Sequence, residues 1–197
     1  MKNRAAATAA ITLTALLALA GCAGATGSGG MPNMPGMGSS ASASPAADVN
    51  NADMQFTMMM IPHHEQAVEM ADMILTKDGI DERVITLAEQ IKAAQGPEIE
   101  LMESWLDDWG TPMGDMDGMD HGGMMSDTDM QALQDATGAE ASRLFLEQMI
   151  VHHEGAIDMA QTEVENGQNA DVIALAEAII ASQTTEITTM EEILATL

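Results

Sequence analysis

An internal duplication constrains the fold of this chain more than any other sequence feature. Phe56–Ala71 aligns with Phe145–Ala160 at an offset of 89, with nine of sixteen positions identical. Val84–Leu106 aligns with Val172–Leu194 at an offset of 88, with thirteen of twenty-three positions identical. Each half therefore contains the same two segments in the same order, which predicts that the two halves fold alike.

Both repeated segments have the periodicity of amphipathic helices. Residues of the first segment recur on one helical face at steps of three or four: Phe56, Met60, His63, Ala67 and Met70. Short turn sequences follow at 77–80 and 166–169, so each pair of helices should form a hairpin. Neither hairpin can bury its apolar face alone. The sequence therefore predicts an all-α protein, an antiparallel four-helix bundle made of two duplicated helical hairpins.

The N-terminus has the pattern of an export signal. Lys2 and Arg4 precede an apolar stretch, and small residues then lead to Cys22, the only cysteine. The segment Leu19–Cys22 resembles a bacterial lipoprotein lipobox, in which Cys22 would be lipidated and would anchor the protein to the membrane. An ordinary cleaved signal or a free thiol is the alternative. A lipoprotein signal and an ordinary cleaved signal both predict an extracytoplasmic protein. A single cysteine excludes an intrachain disulfide.

Composition shifts divide the rest of the chain. We expect a signal peptide at 1–21, a flexible Gly-, Ser-, Ala- and Pro-rich tether at 22–47, and the bundle at 48–197. Within the bundle, the hairpins should occupy 48–106 and 129–197, with a Met-, Asp- and Gly-rich linker at 107–128. A short helix is predicted at Asp129–Gln134.

Helix-capping residues mark the expected helix starts. Asp48 or Asn50 could cap the first helix, and Asp81 the second. Thr137–Glu140 has the spacing of a capping box.

Charge and composition exclude several classes of protein. The chain has 31 acidic and 6 basic residues, a formal net charge of −25, whereas nucleic-acid binding requires a basic face. With two Phe, two Trp and no Tyr, an aromatic-rich β-sandwich is also disfavoured.

The repeated histidines and methionines form a candidate metal site. Four of the five histidines lie in two pairs at equivalent positions. Di-iron bundles use Glu-x-x-His, but this chain has Met60-x-x-His63 and Met149-x-x-His152, so a thioether replaces the carboxylate. Thioether with imidazole favours Cu(I) and Ag(I), and imidazole with carboxylate admits Cu(II). The candidate ligands are Met60, His63, His64, Met70, Met149, His152, His153 and Met159.

Two glutamates lie on the apolar face of the second repeated segment. Glu98 and Glu186 should be partly buried, and each could accept a hydrogen bond from an imidazole and orient it as an outer-shell partner of the metal. A glutamate that extends to the bundle edge is the alternative. Glu65 and Glu154 should be solvated. The methionines could equally fill the core, and the histidines could form purely structural His–Glu networks.

The Met-rich linker is a second candidate for metal binding. Its thioethers and one imidazole recur in a flexible sequence that has little packing use for them: Met113, Met116, Met119, His121, Met124 and Met125. A low-complexity linker without function is the alternative. Met31, Met34 and Met37 in the tether have similar spacing.

The histidine segments, together with Gln95-x-x-Glu98-Ile-x-x-Met102 and Gln183-x-x-Glu186-Ile-x-x-Met190, resemble the bacterial family known as domain of unknown function 305. The resemblance covers about Asn50 to Leu197. It implies a ferritin-like helical bundle in an extracytoplasmic location and, for some members, copper binding linked to copper tolerance. Ile193 stands where the first half has Trp105, a departure from the pattern.

These observations predict a membrane-tethered, extracytoplasmic copper-binding protein that sequesters or passes on the metal. Two other functions stay open: a metal-free structural or partner-binding bundle, and a ferritin-like redox enzyme such as a metal-dependent oxidase. The chain lacks Glu-x-x-His, Tyr and a nucleophile constellation, so we expect no enzymatic activity. No protein partner is predicted.

Overall fold

The computed structural model describes residues 48–111 and 122–197, and all regular structure in these two ranges is helical. The elements are α1 (Asn51–Leu75), α2 (Glu82–Trp109), α3 (Asp127–Asp135), α4 (Gly138–Asn166) and α5 (Ala170–Leu194). α1 pairs with α2, α4 pairs with α5, and α1 packs against α4. The predicted bundle of two duplicated hairpins is confirmed.

The helix starts follow local capping chemistry in part. Asn50 caps α1 through its side-chain oxygen, which accepts from the backbone N–H groups of Ala52 and Asp53. Asp81 caps α2 in the same way, accepting from the N–H of Arg83. The capping box expected at Thr137 is wrong, because Thr137 makes no side-chain capping hydrogen bond. Gly138 follows at φ 57°, outside the helical range, although the backbone still closes the first turn, with the Ala141 N–H donating to the Thr137 carbonyl at 3.3 Å.

The linker is more helical than expected at both ends. α2 continues to Trp109, three residues past the predicted boundary, and Gly110 ends it in the left-handed conformation at φ 65°. The short helix predicted after the linker is present as α3 and is longer, Asp127–Asp135. Residues 112–121 and 1–47 lie outside the described residues.

The interior contains two hydrophobic clusters. The first core cluster lies where α1 ends and α4 begins, and includes Met70, Ile91, Leu133, Met149 and Met190. The second core cluster lies at the opposite end, and includes Met60, Ile61, Met102, Ala156 and Ile179. Each cluster draws on the C-terminal half of one helix and the N-terminal half of its neighbour, so paired helices run antiparallel.

Equivalent polar residues tie each hairpin turn to the other hairpin. Asp53 Oδ1 accepts from the backbone N–H groups of Gln168 and Asn169, each at 2.9 Å. Ser142, which occupies the position of Asp53 in the second half, accepts through Oγ from the N–H of Asp81 at 3.2 Å. These contacts satisfy backbone donors at the starts of α2 and α5. They therefore join one hairpin to the other at each end of the bundle.

The end of the bundle at Asp53 contains a second buried carboxyl group. Glu163 is 1% exposed, and burial, together with the adjacent carboxylate of Asp53, raises its pKa to about 8. Burial also raises the pKa of Asp53, but hydrogen bonds from the backbone N–H groups of Asn50, Asn169 and Gln168 outweigh it and hold that pKa below its usual value. At neutral pH Glu163 is therefore protonated beside an ionised Asp53.

This arrangement predicts that the wild-type protein loses stability as the pH rises, and that Glu163→Gln does not show this loss. The unfolded chain releases the Glu163 proton near pH 4.5 and the folded chain only near pH 8, so the stabilisation is present below pH 4.5 and is lost as the pH rises to about 8. The free energy of unfolding of Glu163→Gln, relative to the wild type, should increase by about 4 kcal/mol between pH 5 and pH 9. Urea unfolding at pH 5, 7 and 9 measures it.

Glu165→Gln is the matched control, because Glu165 is exposed and two residues away. Its stability should follow the wild type across the same pH range. Parallel pH profiles for Glu163→Gln and the wild type would contradict the prediction.

Candidate metal centre

A layer of polar side chains separates the two core clusters at the middle of the bundle. Each long helix passes through both core clusters, and two of its residues between the clusters belong to this layer. We call these residues the histidine layer: His63 and His64 from α1, Gln95 and Glu98 from α2, His152 and His153 from α4, and Gln183 and Glu186 from α5. Both imidazole pairs are buried, at 1% exposure or less. The repeat thus brings all four paired histidines to one level of the bundle.

One histidine of each pair is bonded to a glutamate on the neighbouring helix. His64 Nε2 and Glu98 Oε2 lie 2.8 Å apart, and His153 Nε2 and Glu186 Oε2 lie 2.6 Å apart. The carboxylates are partly exposed, at 23% and 19%, so they reach the bundle edge while holding a buried ring. The Nδ1 atoms of His64 and His153 are buried without a hydrogen-bond partner. A buried nitrogen in that state is costly unless it binds a ligand.

The other two histidines meet at the contact between α1 and α4. The ring centroids of His63 and His152 lie 3.7 Å apart with an interplanar angle of 39°. His153 lies further from His152, at 6.4 Å between centroids. Burial lowers the pKa of His152 well below 6.5, and the neighbouring His63, His153 and His64 lower it further. His152 is therefore neutral at pH 7, the form in which imidazole binds metal.

The layer is not a closed coordination site as it stands. In the described residues no three His, Cys, Asp or Glu side chains are arranged to hold a metal ion. The donors that fit one are the free Nδ1 atoms of His64 and His153, the neutral ring of His152, and adjacent thioethers. This neutral nitrogen and sulfur set suits Cu(I) or Ag(I) rather than a hard cation. His63 and His152, with ring centroids 3.7 Å apart, are close enough for one ion to be shared between their rings.

The four predicted methionine ligands separate into two pairs. Met60 and Met149 are fully buried and lie one turn from the inner histidines, on opposite borders of the layer. Met70 and Met159 are seven residues from those histidines, a rise of about 10 Å along a helix. Met70 is sealed within the first core cluster. Met159 is partly exposed and packs against the second core cluster.

The segment Gly122–Met125 crosses the outer face of α1 and α4 beside the histidine layer. The backbone of Met125 exchanges two hydrogen bonds with the Gln66 side chain, at 2.7 and 3.0 Å. The backbone of Gly122 and Gly123 packs directly on Gly155 of α4. Gln66 and Gly155 are equivalent positions of the repeat, one turn or less after the paired histidines. The end of the Met-rich linker is thus fastened next to the layer.

Some of the expected site residues lie outside the part of the chain that the structure describes. Met113, Met116, Met119, His121 and Cys22 fall outside the described residues, whereas Met124 and Met125 are half-buried. Glu65 and Glu154 are exposed as expected.

The layer also contains two residues that the sequence interpretation did not assign to the site. Gln95 and Gln183 are buried, at 3% and 2% exposure. They are identical and equivalent in the repeat, a signal that could have found them.

Residues 53–194 match the family described as Domain of unknown function (DUF305). The chain belongs to the DUF305 family. No curated protein sequence gives a significant match. A DUF305 fragment from Deinococcus radiodurans is 32% identical, with a TM-score of 0.70 over 76% of this chain and 99% of that chain. A DUF305 protein from Streptomyces coelicolor, named as a predicted secreted protein, is 35% identical, with a TM-score of 0.69 over 76% and 92%.

A third similar structure has been solved with metals. CopM in its Cu(I)-bound form is 33% identical, with a TM-score of 0.62 over 71% of this chain and 93% of that chain. CopM is also known in Cu(II)-bound and Ag-bound forms. The family resemblance and helical fold expected from the sequence are confirmed. None of the described helices of this chain is long and apolar enough to cross a membrane.

Proposed function

We propose that this DUF305 protein is an extracytoplasmic copper-binding protein that sequesters Cu(I), or passes it on, in copper tolerance. The proposed ligands are drawn from the paired histidines, with Met60 and Met149 at the borders of the layer. Glu98 and Glu186 orient His64 and His153 from outside the coordination sphere. The main support for this proposal is that four buried imidazoles lie in one layer and that two of them, His64 and His153, have Nδ1 atoms without a hydrogen-bond partner.

Charge and chemistry both favour this cargo. A net charge of −25 raises the local concentration of cations around the protein. Neutral imidazole and thioether donors then select soft Cu(I) or Ag(I), and imidazole with a carboxylate accommodates Cu(II). CopM, which is 33% identical, binds the same three ions.

Competition with a Cu(I) chelator tests the proposal. The variant His63/His64/His152/His153→Ala should bind at least one fewer Cu(I) per protein than the wild type. The control Glu65→Ala/Glu154→Ala removes two exposed carboxylates adjacent to the same histidines and should bind as the wild type does. Circular dichroism establishes that each variant is helical.

If the quadruple variant does not fold, the conservative variant His64→Gln/His153→Gln, which retains a hydrogen-bonding side chain, replaces it. Cu(I) stoichiometry and affinity equal to those of the wild type in a folded histidine variant would remove the bundle site.

A metal-free structural role is the second candidate, and the His64–Glu98 and His153–Glu186 hydrogen bonds favour it. A ligand that binds only the folded state must stabilise it. The melting temperature of chelator-treated protein is therefore measured before and after copper is added. An unchanged melting temperature would support the structural role, and a rise would support binding.

The proposal places the protein outside the cytoplasm, attached to the membrane through a lipid on Cys22. In this scheme the methionines and His121 of the linker, Met113–Met125, bind further copper. No catalytic reaction is assigned to the bundle.

A further inference from the structure

The outer face formed by α1 and α4 has two halves related by the duplication. One half is covered by α3, whose Leu133 is fully buried in the first core cluster, and by Gly122–Met125. Gln148 of α4 fastens this cover by donating to the backbone carbonyl of Asp129 at 2.9 Å. In the described residues no element covers the other half, and a cavity of about 200 Å³ opens there between the N-terminal half of α1 and the C-terminal half of α4.

The duplication provides an internal comparison for the lining of this open cavity. At an offset of 89, its polar residues Glu163, Thr162 and Gln55 correspond to apolar residues in the covered half. Those counterparts are Ile74, Met73 and Leu144, which all belong to or pack against the first core cluster. At these three positions the face is thus apolar in the covered half and polar in the open half.

Two thioethers also line the open cavity, Met59 and Met159. Met59 corresponds to Gln148, the residue that fastens α3, and its Sδ accepts a hydrogen bond from Gln55 Nε2 at 3.7 Å. Met159 corresponds to Met70, which is fully buried, whereas Met159 is half-buried and faces the cavity. The lone pair of the Met59 sulfur already meets a polar partner there, so Met59 does not act as core filler alone.

We propose that Met59 and Met159 form a second soft-metal site, separate from the histidine layer, that binds Cu(I) or Ag(I) beside the carboxyl group of Glu163. Thioethers select soft monovalent ions, and the ionised Asp53 beside the protonated Glu163 gives this end of the cavity a negative charge that favours a cation. The choice of ion rests on the proposed copper-binding function. The location of the site rests on the cavity and its lining.

The position of the site also gives it an approach from solvent. Met159 and Thr162 line a second, more open cavity that extends to Gly122 and Gly123 and includes Glu154 and Asp158. Both acidic residues are exposed, so they attract cations to the mouth of this groove. An ion that enters there meets Met159 before it reaches Met59 and Glu163.

Methionine methyl NMR with Ag(I) tests the site in the folded wild-type protein. In protein labelled with [methyl-¹³C]methionine, the Met59 and Met159 signals should shift together and saturate as Ag(I) is added. Met70, the sealed counterpart of Met159, should not shift with them. The variants Met59→Leu, Met159→Leu and Met70→Leu assign the three signals, since Leu and Met exchange with little effect on packing. Unchanged Met59 and Met159 signals at saturating Ag(I) would overturn the proposal.

A stoichiometry measurement separates this site from the histidine layer. Met59→Leu/Met159→Leu should bind one Ag(I) fewer than the wild type, while Met70→Leu should bind the same number. The histidine variant should lose its own ion and retain the Ag(I)-induced shifts of Met59 and Met159. An undiminished stoichiometry in Met59→Leu/Met159→Leu would refute the second site, whatever the histidine variant does.

Discussion

Gly155→Ala is expected to displace the Gly122–Met125 segment and to lower the free energy of unfolding by about 3 kcal/mol. A Cβ at Gly155 would overlap the carbonyl oxygen of Gly122 and would lie 2.6 Å from the Cα of Gly123. These are backbone atoms, which cannot turn aside as a flexible side chain would. Gly123 is further constrained by φ 84°. Since Gly155 itself is buried in α4, the segment rather than the helix must move.

Hydrogen exchange and copper kinetics report this displacement. The amide of Met125, which donates to Gln66 in the wild type, should lose its protection in Gly155→Ala. If the segment shields the histidine layer, Cu(I) release to a chelator should become faster.

The chain offers two matched controls for Gly155→Ala. Gly96→Ala adds the same methyl group in the interior of α2, where no atom beyond the chain neighbours lies within 4 Å. Because Pro97 follows and disfavours a helical conformation for a preceding residue with a Cβ, the gain in helix propensity is offset and the stability should change by less than about 1 kcal/mol. Gln66→Ala removes the two hydrogen bonds without a clash and should have an intermediate effect. A Gly155→Ala protein as stable as the wild type, with Met125 still protected, would show that the segment does not pack as described.

Removing both layer glutamates should have the other large effect. In Glu98→Ala/Glu186→Ala the Nε2 atoms of His64 and His153 lose their acceptors inside a fully buried environment. Each orphaned group costs about 1–3 kcal/mol, so the double variant should unfold at a free energy about 2–6 kcal/mol lower. If the histidines bind copper, Cu(I) affinity should also fall by about 10- to 100-fold, the usual result of losing an outer-shell partner.

Glu65→Ala/Glu154→Ala is again the matched control, because these glutamates are adjacent to the histidines in sequence but exposed. Urea unfolding of the metal-free proteins measures stability, and chelator competition measures affinity. Loss of stability with unchanged affinity would assign Glu98 and Glu186 a structural role only. No change in either quantity would contradict the reading of both hydrogen bonds.

Local periodicity carried much of the information about the fold. The steps of three and four that join Phe56 to Met70 define a helical face without reference to any other segment, and the duplication pairs the hairpins. The hydrogen bonds of Glu98 and Glu186 could also be predicted from the sequence, because a carboxylate on an apolar face needs a donor. The capping box predicted at Thr137 is absent, because residue spacing does not determine the backbone conformation at Gly138.

The helices, their pairing and the equivalence of the two halves could be predicted from the amino-acid sequence, because they depend on local spacing and on repetition. Which donors meet depends on how the helices pack in three dimensions. Axial rise along α1 and α4 separates Met70 and Met159 from the histidines that share their stripe. A single linker joins the halves, so it can cover only one of two equivalent faces. That physical asymmetry leaves Met159 facing a cavity while Met70 is sealed.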